Sequence, residues 1–208
     1  MLEVHVSCNP YMELPLTESF DIYTEEFPPC WNRNYNCAET FRPVIVTEQS
    51  SSAPSSLRLY SYSNPSFPTI SKYSCVVVPA VDTSVTAMSQ MTVNFKILKN
   101  STNAGSGALQ VGVMTDPTDI STFVPVQSFN GFEWAATNTW YNVEVLLNSY
   151  SGNGVYIAFL KPSTSSEYTF IDDINIFATS NCLTPTDIAV SEITDNTVTV
   201  RWTPRNEE

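Results

Sequence analysis

The chain has 208 residues, of which 42% are hydrophobic and 12% aromatic, so it can form a sizeable core and is too apolar for disorder. Nine Lys and Arg against 21 Asp and Glu give a formal net charge of −12. This charge argues against nucleic acid and anionic membranes as partners, because both require a basic surface. The sequence has no apolar run of about 18 residues, and it therefore predicts no membrane insertion.

The first thirteen residues predict the end of a preceding module and a linker. Residues 2–8 are typical of a short strand, and residues 9–13 of the linker. The start has neither the basic region nor the long apolar region of a signal peptide. We expect a preceding part of the protein to carry that signal.

Nine short runs of β-branched and aromatic residues follow, separated by clusters of Pro, Asn, Ser and Gly. No helical period lies between these runs, so they predict an all-β domain over residues 14–178. The expected architecture is a β-sandwich or jelly roll of two antiparallel sheets. The predicted strands are Leu16–Tyr23, Leu57–Tyr62, Tyr73–Val78, Met91–Leu98, Ala108–Met114, Thr122–Val126, Trp140–Leu147, Val155–Leu160 and Tyr168–Phe177.

The last predicted strand places two adjacent carboxylates inside an apolar run. Strict alternation puts Asp172 on the face of Ile174 and Ile176, at the edge of the core, and turns Asp173 the opposite way. A buried carboxylate requires a cation or hydrogen-bond donors. Asp172 therefore indicates either a metal site or a carboxylate that satisfies loop amides, and the sequence leaves both readings open.

Parity also suggests partners for Asp172. Glu18 has the parity of Phe20 and Ile22, which should both face the core, and the first and last strands of a jelly roll can be neighbours. Glu18 and Asp172 would then meet at one core edge, with Asp21 and Asp173 near the rim. Calcium takes about six to eight oxygen ligands, from carboxylates and backbone carbonyls. We therefore predict a structural Ca²⁺ at these four acids, with a purely hydrogen-bonded Asp172 as the alternative.

Trp134 and Tyr141 are the predicted ligand contacts. Trp134 lies in a loop-like stretch, and loops often carry binding residues. Aromatic faces can stack on the apolar faces of sugar rings. Tyr141 and Trp140 have opposite parity on one strand, so one of them must leave the core. We expect Trp134 to be exposed, with core packing as the alternative for each of these aromatic residues.

The five cysteines leave disulfide pairing open. They show no C-x-x-C spacing, and with a single histidine, His5, they give little support to a zinc site. Their odd number prevents complete pairing within the chain. Cys30 and Cys37 could close a small loop, Cys8 could pair outside the module, and buried free thiols are the alternative. The other two cysteines are Cys75 and Cys182.

Residues 179–208 predict the truncated start of a further module. Pro185–Thr203 contains two alternating strands, a short polar turn between them and a Trp at the end of the second strand. This pattern resembles the first two strands of a fibronectin type III domain. A complete sandwich of that type needs about 100 residues. We therefore expect the tail to be a fragment of such a domain.

Six segments occur in the order that is typical of one known family. They are Leu14–Asp21, Phe27–Trp31, Val76–Asp82, Leu109–Val126, Val155–Leu160 and Tyr168–Phe177. Together they resemble the choice-of-anchor J or cleaved-adhesin family of bacterial surface proteins, which includes the haemagglutinin-adhesin modules of gingipains and is similar in fold to MAM domains. The Asp-rich loop that some gingipain modules carry after the Trp is replaced here by NRNYNCAET, which weakens any calcium site built from that loop.

The resemblance implies a jelly roll between fibronectin type III repeats, display outside the cell and, in several relatives, a structural calcium. We expect a non-catalytic adhesion or carbohydrate-binding module of a secreted or cell-surface protein. Its expected partners are a host glycan or extracellular protein and the neighbouring modules of its own chain. The sequence lacks the G-x-S-x-G and H-E-x-x-H motifs of two hydrolase classes. The alternatives are a structural spacer with no ligand site, or an accessory domain of a secreted hydrolase or protease.

Overall fold

The structure is a computed structural model whose residues group into two units, Met1–Ala178 and Thr179–Glu208. His5, Cys37, Cys182 and most of the strand expected over residues 2–8 lie outside the described residues. The side chains of residues 186, 187 and 203 are also outside the description. The structure describes residues 8–24, 26–36, 41–61, 72–103, 105–162, 167–179 and 186–203.

Eleven strands of the first unit form two antiparallel sheets, and the described residues contain short 3₁₀ turns but no α-helix. The strands are β1 (Leu16–Glu18), β2 (Asn32–Tyr35), β3 (Val44–Val46), β4 (Ser56–Ser61), β5 (Ser74–Val77), β6 (Met91–Leu98), β7 (Leu109–Met114), β8 (Val124–Phe129), β9 (Trp140–Leu146), β10 (Tyr156–Lys161) and β11 (Glu167–Ala178).

The strand order is that of a jelly roll. One sheet has six strands in the order β3-β4-β11-β6-β9, with β1 also paired to β11, and the other has the order β2-β5-β10-β7-β8. If β4 to β11 are counted as strands one to eight, the two orders contain 1-8-3-6 and 2-7-4-5. Chain neighbours therefore mostly lie in opposite sheets. The predicted all-β jelly-roll sandwich is confirmed.

Alternation along β6 shows how the core forms and what remains outside it. Val93, Phe95 and Ile97 are buried between the sheets, and the Phe95 ring meets Phe159 of β10 edge to face at 5.4 Å. Each such buried side chain stabilises the fold by about 1.5–3 kcal/mol. The intervening Asn94 and Lys96 are only half-buried. They therefore point to the outer face of the six-stranded sheet, which is the face turned away from the five-stranded sheet.

The strand prediction was wrong at the N-terminal end. The first strand stops at Glu18, because Phe20 adopts φ +61° and the chain turns so that Tyr23 N–H donates to Phe20 O at 3.0 Å. Ile22, which was expected to face the core with Phe20, is 84% exposed. The prediction also missed β2 and β3, which are four and three residues long and show no extended alternation.

A disulfide joins Cys8 to Cys30, with their Cα atoms 5.5 Å apart. The small loop between Cys30 and Cys37, one of the pairings that the sequence left open, is therefore not formed. Cys75 is a buried free thiol, and burial raises its pKa to about 12. The disulfide ties the chain before β1 to the segment before β2.

The second unit is a two-stranded antiparallel ribbon of β12 (Thr186–Ser191) and β13 (Thr199–Thr203). The two predicted alternating strands are present. Val190 is paired with Val200, so their side chains share one face with that of Trp202, and all three are exposed. The fibronectin type III relationship stays a prediction. Across the described residues of both units, the structure contains no helix with the length and apolar character needed to span a membrane.

Candidate functional site

A β-bulge changes the direction in which the carboxylates of β11 point. The register with β6 shifts between Asp172 and Asn175, and Asp173 has φ +48°. As a result Ile171 lies in the core together with Ile174 and Ile176. Asp172 follows Ile171 and points to the outer face. The prediction that Asp172 shares a face with Ile174 and Ile176 was wrong, because the extra residue resets the alternation.

Asp172 is fully buried beneath Gln49–Ser55, a segment called the serine loop from here on. Its Oδ2 accepts hydrogen bonds from the amides of Ser51 at 2.7 Å and Ser52 at 3.2 Å, and its Oδ1 accepts from the Asp173 amide at 2.8 Å. Burial raises the pKa of Asp172 to about 6, although these amides oppose the rise. Asp172 is therefore a carboxylate that satisfies loop amides, which was the alternative to a metal ligand.

Asp173 and Lys96 complete the attachment of the serine loop. The Asp173 carboxylate accepts from Ser52 Oγ at 2.7 Å and pairs with Lys96 Nζ at 2.9 Å. Lys96 Nζ also donates to Ser51 Oγ at 2.8 Å. Burial pushes the pKa of Asp173 upward, but the hydrogen bonds from Ser52, Lys96 and Ser51 outweigh it and leave the pKa lowered. Trp140 Nε1 donates to Ser50 O at 3.0 Å, which fastens the loop to β9.

Glu18 and Asp21 form a second acidic pair with few donors. Glu18 Oε1 accepts from the Phe20 amide at 2.7 Å, and Asp21 Oδ1 accepts from the Ser55 amide at 3.4 Å. Burial raises the pKa of Glu18, and the Asp21 carboxylate raises it further despite the backbone hydrogen bonds. Among the described residues, no Lys, Arg or His forms a salt bridge with either carboxylate.

The four predicted calcium ligands thus lie in two pairs. In the part of the chain that the structure describes, no three His, Cys, Asp or Glu side chains are grouped closely enough to hold a metal. Asp172 and Asp173 do not fit a cation site, because amides, hydroxyls and the Lys96 ammonium already donate to them. Glu18 and Asp21 fit better, since each carboxylate lies in the field of the other. Calcium stays a prediction, now limited to Glu18 and Asp21.

The expected exposure of Trp134 was wrong. Its side chain is 7% exposed, its Nε1 donates to Gly107 O at 3.0 Å, and its ring lies 5.5 Å from that of Tyr141. Tyr141 packs against the core, and its hydroxyl accepts from the Ala136 amide at 2.7 Å. Burial of the large indole with its N–H paired is the more stable arrangement. Phe132 is the aromatic residue that this loop exposes, at 75%.

A shallow polar depression of about 320 Å³ lies beside the serine loop. We call it the outer-face groove, and define its polar lining as Asn94, Lys96, Asn142, Glu144 and Asp173. Asp173 also lines an adjoining depression of about 250 Å³ that reaches β1. Polar side chains of four neighbouring strands, β1, β11, β6 and β9, therefore share one surface. The other residues of the adjoining depression are Thr17, Glu18, Ser19, Ile174 and Asn175.

Asn94 and Asn175 contribute incompletely paired side chains to this surface. The two residues are direct partners in the β6–β11 ladder, so their side chains lie on the same face. Within the described structure, the Oδ1 atom of each is buried and has no hydrogen-bond donor. A buried acceptor without a donor costs about 1–3 kcal/mol. A reorientation that brings either amide oxygen to a donor would remove this cost.

Sequence reasoning missed the groove residues, although one signal for them was present. In β6 the polar Asn94 and Lys96 alternate with Val93, Phe95 and Ile97, and in β9 Asn142 and Glu144 alternate with Val143 and Val145. This pattern predicts one polar face for each strand. It does not reveal that β6 and β9 are neighbours, which follows only from the sheet order. Trp140 lies on the same face of β9 as Asn142 and Glu144. It is therefore the aromatic residue of the Trp140–Tyr141 pair that points away from the core.

The fold is shared with solved structures, whereas no protein-family model and no curated protein matches the sequence. A cleaved adhesin domain of Lys-gingipain from Porphyromonas gingivalis has a TM-score of 0.56 and 16% identity, over 81% of this chain and 100% of that domain. A xylan-binding domain from Paenibacillus barcinonensis has a TM-score of 0.51 and 13% identity, over 83% of this chain and 99% of that domain.

An enzyme also contains this fold. A β-1,2-glucanase from Parabacteroides distasonis matches with a TM-score of 0.53 and 11% identity, over 96% of this chain but only 30% of the enzyme. All three identities are low, so the comparisons show a common jelly-roll fold and no more. This chain is similar in architecture to adhesin and carbohydrate-binding domains.

Proposed function

We propose that this chain is a non-catalytic, glycan-binding module of a secreted or cell-surface bacterial protein, and that it binds a neutral glycan in the outer-face groove. The observation that carries the proposal is the convergence of amide and carboxylate side chains from four adjacent strands on one shallow surface. The fold shared with an adhesin domain and a xylan-binding domain supports it as an analogy.

The polar groups of the groove suit sugar hydroxyls. A hydroxyl both donates and accepts, and the groove offers amides that do both and carboxylates that accept. Asn94 in the groove and Asn175 in the adjoining depression each contain a buried acceptor without a donor in the described structure. Rotation of either amide toward the surface would bring that acceptor to a sugar hydroxyl. Asn142 and Glu144 are exposed and lie on the adjacent strand β9.

The charge of the groove favours a neutral ligand. Lys96 is paired with Asp173, which leaves Glu144 without a cation in the described part of the groove. A protein of net charge −12 repels acidic glycans such as sialylated or sulfated chains. Trp140 is half-buried on the same face of β9 as Asn142 and Glu144, and its ring is the aromatic surface that we expect to stack on a sugar.

The disulfide supports a location outside the reducing cytoplasm. Disulfides persist in secreted and surface proteins and are rare in the cytosol. Cys8 and Cys30 are joined in this chain. Host glycans or extracellular glycoproteins are therefore the partners to test first. Neighbouring modules of the same polypeptide chain are the other expected partners.

Affinity electrophoresis in gels that contain soluble xylan, mixed-linkage β-glucan or desialylated mucin tests the proposal. We expect at least one neutral glycan to retard the protein, and Asn94→Ala combined with Asn142→Ala to abolish the retardation. Gln127→Ala, which removes an exposed amide from β8 of the other sheet, is the matched control and should migrate as the original chain does. Absence of retardation in every gel, or an equal loss in the control, would favour a structural spacer.

A further inference from the structure

One cavity of the first unit lies between the chain that precedes β1 and the segment that precedes β2, and its lining shares no residue with the outer-face groove. It has a volume of about 460 Å³, within the range of sites for small ligands. We call it the N-terminal pocket and define its functional lining as Tyr11, Glu13, Glu18, Tyr23 and Trp31. Three aromatic residues and two carboxylates thus border one cavity.

The pocket has the charge of a cation site. None of the described residues that line it is Lys, Arg or His. The described residues between 8 and 36 include four acids, Glu13, Glu18, Asp21 and Glu26, and one base, Arg33. Arg33 is engaged elsewhere, since its guanidinium lies 4.9 Å above the Phe27 ring and donates to Pro43 O. The negative field around the pocket is therefore not neutralised by the described residues.

Trp31 and Glu18 are held in place before any ligand arrives. The fully buried Phe20 meets the Trp31 ring edge to face at 5.8 Å, and its amide holds Glu18 Oε1 at 2.7 Å. The Met12 amide donates to Ala80 O at 2.7 Å, which fixes the chain before β1. The Cys8–Cys30 disulfide joins that chain to Cys30, which lines the pocket. A preorganised site loses less entropy on binding.

Tyr23 and Glu18 line the pocket together, and both side chains are half-buried. A positive charge between them would pair with the Glu18 carboxylate, and the aromatic faces would add cation–π attraction.

We propose that the N-terminal pocket binds the side chain of a lysine or arginine presented by a partner polypeptide. The apolar stem of such a side chain suits the walls formed by Leu16, Pro28 and Trp31, and its charged end suits Glu18 and Glu13. A neutral sugar fits less well, because the pocket offers few amide groups. This inference does not rest on the glycan proposal.

Fluorescence polarisation with a labelled peptide that contains spaced lysines tests the inference, with the whole chain in a buffer that contains EDTA. The comparison ligand is the same peptide with its lysines acetylated on the side chain, which removes the charge. We expect the charged peptide to bind and the acetylated peptide to bind at least about tenfold more weakly, since a charge-assisted hydrogen bond contributes about 1.5–3 kcal/mol.

Two pocket variants and one control locate the binding. Glu18→Gln keeps an acceptor for the Phe20 amide, and should weaken binding about tenfold; Tyr11→Ala, at a 45% exposed residue, should weaken it several-fold. Glu144→Gln removes the same charge from the outer-face groove and should leave the affinity unchanged. The melting temperature of each variant verifies that it is folded.

Three results would overturn the inference: no binding of the charged peptide, equal binding of the acetylated peptide, or an equal loss of affinity in Glu144→Gln. Tyr11→Ala should also leave glycan retardation unchanged, because Tyr11 lies outside the outer-face groove. Failure of peptide binding and failure of glycan binding are therefore separate results.

Discussion

The two acidic pairs of this domain have the same chemistry and opposite surroundings. Asp172 and Asp173 accept from three amides, a serine hydroxyl and the Lys96 ammonium, beneath a loop that covers them. Glu18 accepts from the Phe20 amide and Asp21 from the Ser55 amide, and Glu18 borders two open depressions. The first pair finds its hydrogen-bond and charge partners within the fold. No described Lys, Arg or His forms a salt bridge with the second pair.

This difference separates a structural role from a binding role. Buried polar groups that find all their partners in the protein stabilise one arrangement of the chain. Carboxylates that approach each other without a cation raise the energy of the free protein, and a cationic ligand recovers that energy. Three measurements test this difference between the two pairs.

The largest effect should come from Asp172→Ala. The substitution leaves the amides of Ser51, Ser52 and Asp173 without their acceptor, at about 1 kcal/mol or more each, so we expect the free energy of unfolding to fall by about 3 kcal/mol at pH 7. Urea denaturation measures the change. Glu144→Ala, an exposed acid of the same sheet, should change stability by no more than about 0.5 kcal/mol. Equal effects would contradict the structural role of Asp172.

Calcium should act on the other pair. If Glu18 and Asp21 hold the ion, about 100-fold excess of calcium over its dissociation constant adds about 2.7 kcal/mol to the free energy of unfolding. Thermal unfolding in millimolar calcium and in EDTA measures this as a rise in melting temperature. Glu18→Gln should abolish the rise, and Asp173→Asn should retain it. No rise, or a rise that requires Asp173, would contradict calcium binding at Glu18 and Asp21.

The smallest effect concerns the pH dependence that Glu18 contributes in EDTA. A carboxyl group whose pKa is raised on folding holds its proton more tightly in the folded state. Its contribution to stability is therefore complete below its unfolded pKa, near 4.5, and is lost as the pH rises through the folded pKa. We expect the free energy of unfolding of Glu18→Gln, relative to that of the original chain, to rise between pH 5 and pH 7.5. The rise should be less than about 1 kcal/mol after solvent screening.

Melting temperatures of the two proteins at both pH values test this expectation. Because burial also raises the pKa of Asp172, the difference between the two proteins is the informative quantity, and not the slope of either one. A difference that is the same at both pH values would show that Glu18 has no raised pKa in the folded state.

Local sequence patterns were sufficient for the class of the fold. Strands such as Met91–Leu98 and Trp140–Leu147 were predicted within a residue of β6 and β9, because apolar and polar residues alternate along them. Many short strands without helices predicted a sandwich or jelly roll, and the resemblance to the cleaved-adhesin family favoured the jelly roll. The short edge strands β2 and β3 were missed, because their pairing with β5 and β4 depends on distant chain segments.

The candidate site shows where local reasoning ended. The sequence by itself identified Glu18, Asp21, Asp172 and Asp173 as acids in unusual positions, and the structure places them all in polar clusters. It could not reveal the bulge that turns Asp172 outward, since one inserted residue changes parity without a clear local signature.

Tertiary structure alone decided which side chains meet. Trp134 became part of the core because a carbonyl of a distant loop, at Gly107, was available for its N–H. The outer-face groove and the N-terminal pocket each join segments that are far apart in the chain. Alternation determines the face that a side chain occupies, because it depends on the backbone next to it. Neighbours on that face depend on strand order and register, which the packing of the whole sandwich determines.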